Sequence, residues 1–231
     1  VDDLKNFFMR WYGPNNACLV VAGDVNPQDV IKLAEKYFGP IPRGPEVRPL
    51  PKSNFRLPEN KYANYGDNVF LPLFYIVYPT VANYHPDEPA IDLLANILGN
   101  GNNSIFYKNF IKTEKAVQAS VFHPASELAG EFTIAVLPLP NIDGDIDVEK
   151  MVASTLADFE KNGVSDDDLA RAKGAIESNL IFSMQSVASR ASTLSMMWYL
   201  SNGTPRLAKG FNMADELARY QKVTKEDIMR V

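Results

Sequence analysis

Six of the nineteen residues from Pro40 to Pro58 are proline, and this segment limits the fold more than any other. Each proline fixes its own φ and lacks a backbone N–H, so neither a helix interior nor an inner strand can run through the segment. The spacing predicts an extended, semi-rigid connector over 40–58. The chain therefore divides into a short part, 1–39, and a long part, 59–231.

In the short part, Leu4, Phe7, Phe8 and Trp11 follow helical spacing behind Asp2 or Asp3 as a cap, and Gly13-Pro14-Asn15-Asn16 stops them. The apolar run Ala17-Cys18-Leu19-Val20-Val21-Ala22 between turn signals predicts a buried strand. Asn26-Pro27 opens a helix reaching about Phe38, with proline at its first position where the missing N–H costs nothing.

The long part reads as a separate α+β unit. A strand is expected over Val69–Tyr78, bulged or at an edge at Pro72, then a helix from Asp87-Glu88-Pro89 to Leu98, stopped by Gly99-Asn100-Gly101. Ser104 can cap a second helix to about Thr113. Strands over 116–122 and 130–137 flank a hairpin-like loop at Pro124. Helices are expected over 146–162 and 166–199, the latter opened by Ser165-x-x-Asp168, a capping box with Asp in place of Glu. A loop at 201–205 leads to a last helical stretch. Val1-Asp2-Asp3-Leu4 and Thr224-Lys225-Glu226-Asp227-Ile228 echo one another as acidic helix starts. With no initiator Met and an end at Val231 inside a helical pattern, the sequence reads as a piece of a longer chain.

Composition excludes several functions. With 231 residues and 46% hydrophobic content, the chain is long enough to bury a core without disulfides or metal. A net charge of −5 with no run of five like charges argues against a nucleic-acid surface, which needs clustered Lys and Arg. No stretch approaches the ~20 apolar residues of a membrane span. Cys18 is the sole cysteine, so no intrachain disulfide forms.

Catalytic chemistry is hard to place. A hydrolytic zinc centre takes three protein ligands, whereas the two histidines, His85 and His123, lie far apart. His85-Pro86-Asp87-Glu88-Pro89 holds a His-x-x-Glu half motif, but Pro89 stands where the second His belongs. Both histidines read as loop or strand-end residues. Cys18 in a buried strand acts as a small hydrophobe. Gly99-Asn100-Gly101-Asn102-Asn103-Ser104 follows a helix and lacks the lysine of a phosphate loop, so it reads as a helix stop. Asn102-Asn103-Ser104 and Asn202-Gly203-Thr204 match the glycosylation sequon, a frequent chance match. Asp143, Asp145 and Asp147 suit a solvated loop and helix start, and Met196-Met197-Trp198-Tyr199 suits core or domain interface. The residues themselves therefore assign no catalytic and no metal-binding position.

Several phrases together carry a resemblance. Phe7-Phe8-x-x-Trp11-Tyr12-Gly13-Pro14-Asn15-Asn16 followed by Leu19-Val20-Val21-Ala22-Gly23-Asp24, then Lys36-Tyr37-Phe38-Gly39-Pro40-Ile41-Pro42, resembles the pitrilysin/insulinase family of zinc metallopeptidases, relatives of the mitochondrial processing peptidase. Leu93-Leu94 through Leu98-Gly99, Ser104-Ile105-Phe106-Tyr107 and Val164 to Lys173 resemble phrases of that family's next domain. The order matches over nearly the whole chain. The resemblance implies duplicated α+β domains of the metallohydrolase type, with a mixed or antiparallel sheet covered by helices. It implies that 1–39 is the closing strand and helix of a preceding catalytic-type domain, 40–58 a linker and 59–231 a non-catalytic second domain. The family's His-x-x-Glu-His motif, where zinc and the motif's Glu act on the scissile bond, is not in this sequence. Zinc is then expected in the parent protein and none on this fragment.

The family's Arg/Tyr pair, seven residues apart after the Ser-x-Leu-Tyr phrase, falls on Ile111 and Gln118, neither of which is expected to serve. Two parents fit. One is an endopeptidase that cleaves peptides in an enclosed chamber, with this segment as wall and substrate support. The alternative is a non-catalytic homologue acting as an assembly or scaffold subunit. Expected partners are the remaining domains of the parent and peptide substrate, with no nucleic acid and no membrane span, and self-association of the fragment through uncovered strand edges.

Overall fold

The structure is a computed structural model that describes residues 1–48, 50–52, 55–140, 147–200 and 213–231. The chain separates into two compact units. The first groups Val1–Pro51 with the described part of Ser178–Asn212, and the second groups Lys52–Glu177 with Met213–Val231.

In the first unit, α1 (Asp2–Trp11) starts at Val1 with no side-chain cap, so neither Asp2 nor Asp3 has the expected capping role. A single 3₁₀ turn, Pro14–Asn16, follows. Asn15 then ties the chain back, its Oδ1 accepting the Gly44 N–H at 2.7 Å and its Nδ2 donating to the Pro45 carbonyl at 2.9 Å. The Ala17–Ala22 run is irregular, and Leu19, Val21 and Cys18 are exposed. The buried strand expected there does not form because no described strand lies beside it to supply a ladder. The next helix, α2 (Pro27–Phe38), is capped as its sequence demands: Asn26 Oδ1 accepts the Gln28 N–H at 2.9 Å. No residue of 1–48 is buried, although Leu4, Phe7, Phe8, Ile31, Leu33, Tyr37 and Phe38 line these helices.

The second unit holds the core. Its antiparallel sheet has the order β1-β3-β2, with β1 (Phe74–Thr80), β2 (Ala116–Phe122) and β3 (Gly130–Pro138). β1 starts five residues later than expected, so Pro72 precedes it and Pro79 lies within it, on an edge strand where a missing N–H is tolerated. The register sets Phe74 and Ile76 beside Val136 and Ile134, which lie beside Ala119 and Val121. That face packs against the core helix α3 (Glu88–Gly99), apolar nearly all round and buried at Ala90, Ile91, Leu93, Ala95, Ile97 and Leu98. The close approach at the end of α3 requires Gly99: a Cβ there would collide with the Val121 backbone.

After Ser104, whose Oγ accepts the Tyr107 N–H, the expected α-helix is a π-helical turn over Tyr107–Ile111, closed by Lys112 N–H to Tyr107 O at 2.9 Å. The wider turn stacks Phe106 on Phe110, centroids 5.1 Å apart and both essentially buried. Helices α4 (Val148–Asn162) and α5 (Asp166–Ser183) follow. Asp147 caps α4 by accepting the Lys150 N–H at 3.0 Å; Asp143 and Asp145 lie outside the described residues, as does the 201–205 loop with its sequon. At the start of α5, Ser165 Oγ accepts the Asp168 N–H at 3.1 Å and donates to Asp168 Oδ2 at 2.6 Å. Asp168 thus returns to the Ser165 hydroxyl. The single helix expected over 166–199 breaks at 184–186 into α5 and α6 (Val187–Leu200). Helices α7 (Met213–Gln221) and α8 (Lys225–Arg230) close the chain and bury Val223 and Ile228. The Thr224/Asp227 capping box at α8 is complete.

Candidate functional site

Two features of the second unit offer chemistry to a partner: the β1 edge and the polar corner where β1 turns into α3. At the edge, Glu131 donates its N–H to Pro124 O at 3.2 Å, on the β2 side of β3. Its pairing with Pro79 is therefore a non-hydrogen-bonded one, and by alternation so are those of Val77 with Thr133 and Tyr75 with Ala135. The N–H and C=O groups of Tyr75 and Val77 point away from the sheet, and no described strand pairs with them. The two side chains share one face and are 56% and 46% exposed. This edge is an extended-backbone template with an apolar flank.

The corner is built from α3, the end of β2 and α7. His123 follows β2, and its side chain is 1% exposed. Its Nδ1 bonds Asp92 Oδ1 at 2.7 Å and its Nε2 meets Thr80 Oγ1 at 3.0 Å. Asp92 Oδ2 accepts the Tyr220 hydroxyl at 2.7 Å. Burial, followed by the Asp92 carboxylate, drives the Tyr220 phenol far above its usual range, so it remains a donor. Gly130 faces this group, and a Cβ there would strike Val81 O and lie 2.7 Å from Thr80 Oγ1. Beside it, Arg219 bonds Glu88 and Glu216, each at 2.6 Å, and lies over the Tyr84 ring. Glu88 Oε2 also accepts the Tyr84 N–H at 2.7 Å. Hydroxyl, imidazole and carboxylate stand here in the order of a nucleophilic relay, but a ring this buried meets no substrate. The group joins elements instead.

The residues singled out by sequence do not form a centre. Ile111 ends the π-helical turn, half-buried against the core. Gln118 is exposed beside the bulge in β2, with Nε2 donating to Ser120 Oγ at 3.1 Å. His85 lies in the turn before α3, its Nδ1 accepting the Asp87 N–H at 3.1 Å. Both ring nitrogens of His123 are engaged, which leaves it none for a zinc ion, and among the described residues no three His, Cys, Asp or Glu side chains are grouped to hold one. Cys18, with Met196, Trp198 and Tyr199, lines an open cleft of about 650 Å³ in the first unit.

Residues 1–176 match the family described as Peptidase M16 inactive domain. The chain belongs to that family. It is 26% identical over 190 residues to the zinc protease PqqE of Helicobacter pylori, a match covering 80% of this chain and 42% of that protein. Two solved structures share the fold over the whole chain. A protease from H. pylori superposes with TM-score 0.80 at 23% identity, and an M16 inactive domain from Pseudomonas fluorescens with 0.75 at 19%. The chain spans 55% and 53% of those two chains. The α+β class and the membership expected from the sequence phrases both hold.

The polar corner was not legible in the sequence. The bonded pairs Thr80–His123, Asp92–His123 and Asp92–Tyr220 are 43, 31 and 128 positions apart, and no motif spacing joins them. The sole local signal was a histidine at a strand end.

Proposed function

We propose that this chain is the non-catalytic part of a zinc-dependent metallo-endopeptidase, forming wall and substrate support of a chamber in which the catalytic half cleaves peptides. The observation that carries the reading is the match of residues 1–176 to an inactive peptidase domain, together with the identity to a zinc protease. In this reading 1–39 closes the preceding catalytic-type domain, which would cover the apolar faces of α1, α2 and the 17–22 segment, and 59–231 is the second domain. Zinc and the general base belong to the other half, so no step of hydrolysis runs through residues of this chain. Its part is to hold extended substrate, with β1 as the supporting edge, because Tyr75 and Val77 offer main-chain hydrogen bonds indifferent to sequence.

Zinc content of the intact native parent tests the reading. About one tightly held zinc per parent chain, with none retained by residues 1–231 alone, is the expected result. A parent without zinc, in a preparation never exposed to chelator, would move the assignment to the scaffold subunit.

A further inference from the structure

Helix α7 meets the turn between β1 and α3 through two consecutive side chains. Arg219 takes the α3 end, with Nη2 bonded to Glu88 at 2.6 Å and to the His85 carbonyl at 3.4 Å. Tyr220 takes the strand end through a relay: its hydroxyl bonds Asp92, Asp92 bonds His123, and His123 bonds Thr80, the last residue of β1. Between the two grips lies Tyr84, whose φ of 60° is left-handed. A tyrosine holds that conformation only where its surroundings over-determine it. Asn83 adds further ties, donating from its backbone to Ser126 O at 2.9 Å and from Nδ2 to Ala125 O at 3.0 Å. The relay is shielded from water at the His123 ring, so a lost member is not readily replaced by solvent. Thr80 lies three residues from Val77, whose backbone belongs to the open edge.

From this arrangement we infer that Arg219 and Tyr220 are positioning residues: α7 clamps the β1–α3 turn and thereby couples its own docking to the binding of extended peptide at the β1 edge. The inference rests on the reading of β1 as substrate support. Coupling of this kind is reciprocal, so peptide at the edge must tighten α7 by the factor by which α7 tightens the peptide.

Hydrogen exchange on the full polypeptide tests it, with an end-capped decapeptide of alternating Val and Thr as probe. Tyr220→Phe and Thr80→Val each delete one hydroxyl, at opposite ends of the relay, and preserve shape. Each is expected to speed exchange through 74–88 about fivefold, the loss of one hydrogen bond, while the β2–β3 rungs at 119–122 stay unchanged. The double variant should exchange no faster than either single, because both break one relay; independent contacts would multiply to about 25-fold. Saturating probe should slow exchange across 213–221 in the parent sequence and not in Tyr220→Phe. A multiplicative double variant, or acceleration spread evenly over the second unit, overturns the clamp. If the probe protects Tyr75 and Val77 yet leaves 213–221 unchanged, the coupling is refuted and the edge reading stands. If the probe fails to protect β1 while the variants behave as expected, the edge reading falls and the coupling with it, leaving the clamp as a feature of the fold.

Discussion

Phe110→Ala removes a ring from the buried core of the second unit, and its cost can be worked from the contacts. The side chain is 1% exposed and stacks on Phe106 at 5.1 Å with the planes 5° apart. Returning a buried aromatic to water costs about 1.5–3 kcal/mol in transfer free energy. The lost aromatic pair adds about 0.5–1.5 kcal/mol, and the cavity raises the total to about 3–5 kcal/mol. The π-helical turn argues for the upper half of that range, because its hydrogen bonds from Lys112 to Tyr107 and from Lys115 to Phe110 brace the backbone against collapse into the space. Urea titration followed by tryptophan-independent far-UV circular dichroism is the assay, with a fall in midpoint at unchanged slope as the expected result. Phe8→Ala is the internal comparison. Phe8 is 47% exposed in α1 and touches Phe7 and Tyr12, so its loss should cost under about 1 kcal/mol in residues 1–231 alone. A Phe110→Ala penalty below about 1 kcal/mol, or one no larger than that of Phe8→Ala, would refute the placement of the core.

Two further outcomes follow from single positions. Gly99→Ala should destabilise by about 1–3 kcal/mol through its collision with the Val121 backbone, measured by the same titration; helix propensity alone predicts the opposite sign, a gain of up to about 1 kcal/mol. In acid, Asp87 is held below the ordinary aspartate value by its hydrogen bond from Arg230. Asp168 is also low, because the Ser165 and Arg171 bonds outweigh a burial effect that alone would raise it. Both carboxyls bind protons less readily folded than unfolded, so their stabilisation is complete above about pH 5 and is lost as pH falls through their folded values, below about pH 4. Urea midpoints between pH 6 and 2.5 should therefore drop in the parent sequence and drop less in Asp87→Asn; parallel curves would refute this assignment.

Local chemistry made most elements of the second unit readable in advance. The apolar period of 88–98 and the β-branched and aromatic runs of β2 and β3 act over a few residues, and each of these elements formed within one or two positions of its expected bounds; in the first unit the Asn26 cap did the same for α2. Misreadings arose where a local pattern needed a distant partner or was overridden by one. The 17–22 run has strand composition, but a strand exists only when paired with another strand, and none of the three described strands pairs with it. Ser104 starts a helix as its capping chemistry suggests, yet the demand to stack Phe106 on Phe110 accompanies a wider turn that no periodicity announces. Pro72 lies outside the strand and Pro79 within it, because β1 pairs with β3 only from Phe74, opposite Val136, onward. The candidate site was the least legible part. The open edge is a property of sheet order, and the His123 relay joins groups from β1, α3 and α7.

Pro79 also bears on how the purified chain behaves at high concentration. Along the outer margin of β1, Tyr75 and Val77 each present a donor and an acceptor, but Pro79 presents an acceptor alone. A neighbour that zips along this margin runs out of reciprocal rungs after two residue positions. Each added neighbour is thus held by few rungs, which weakens the strand-on-strand stacking that fibre growth requires.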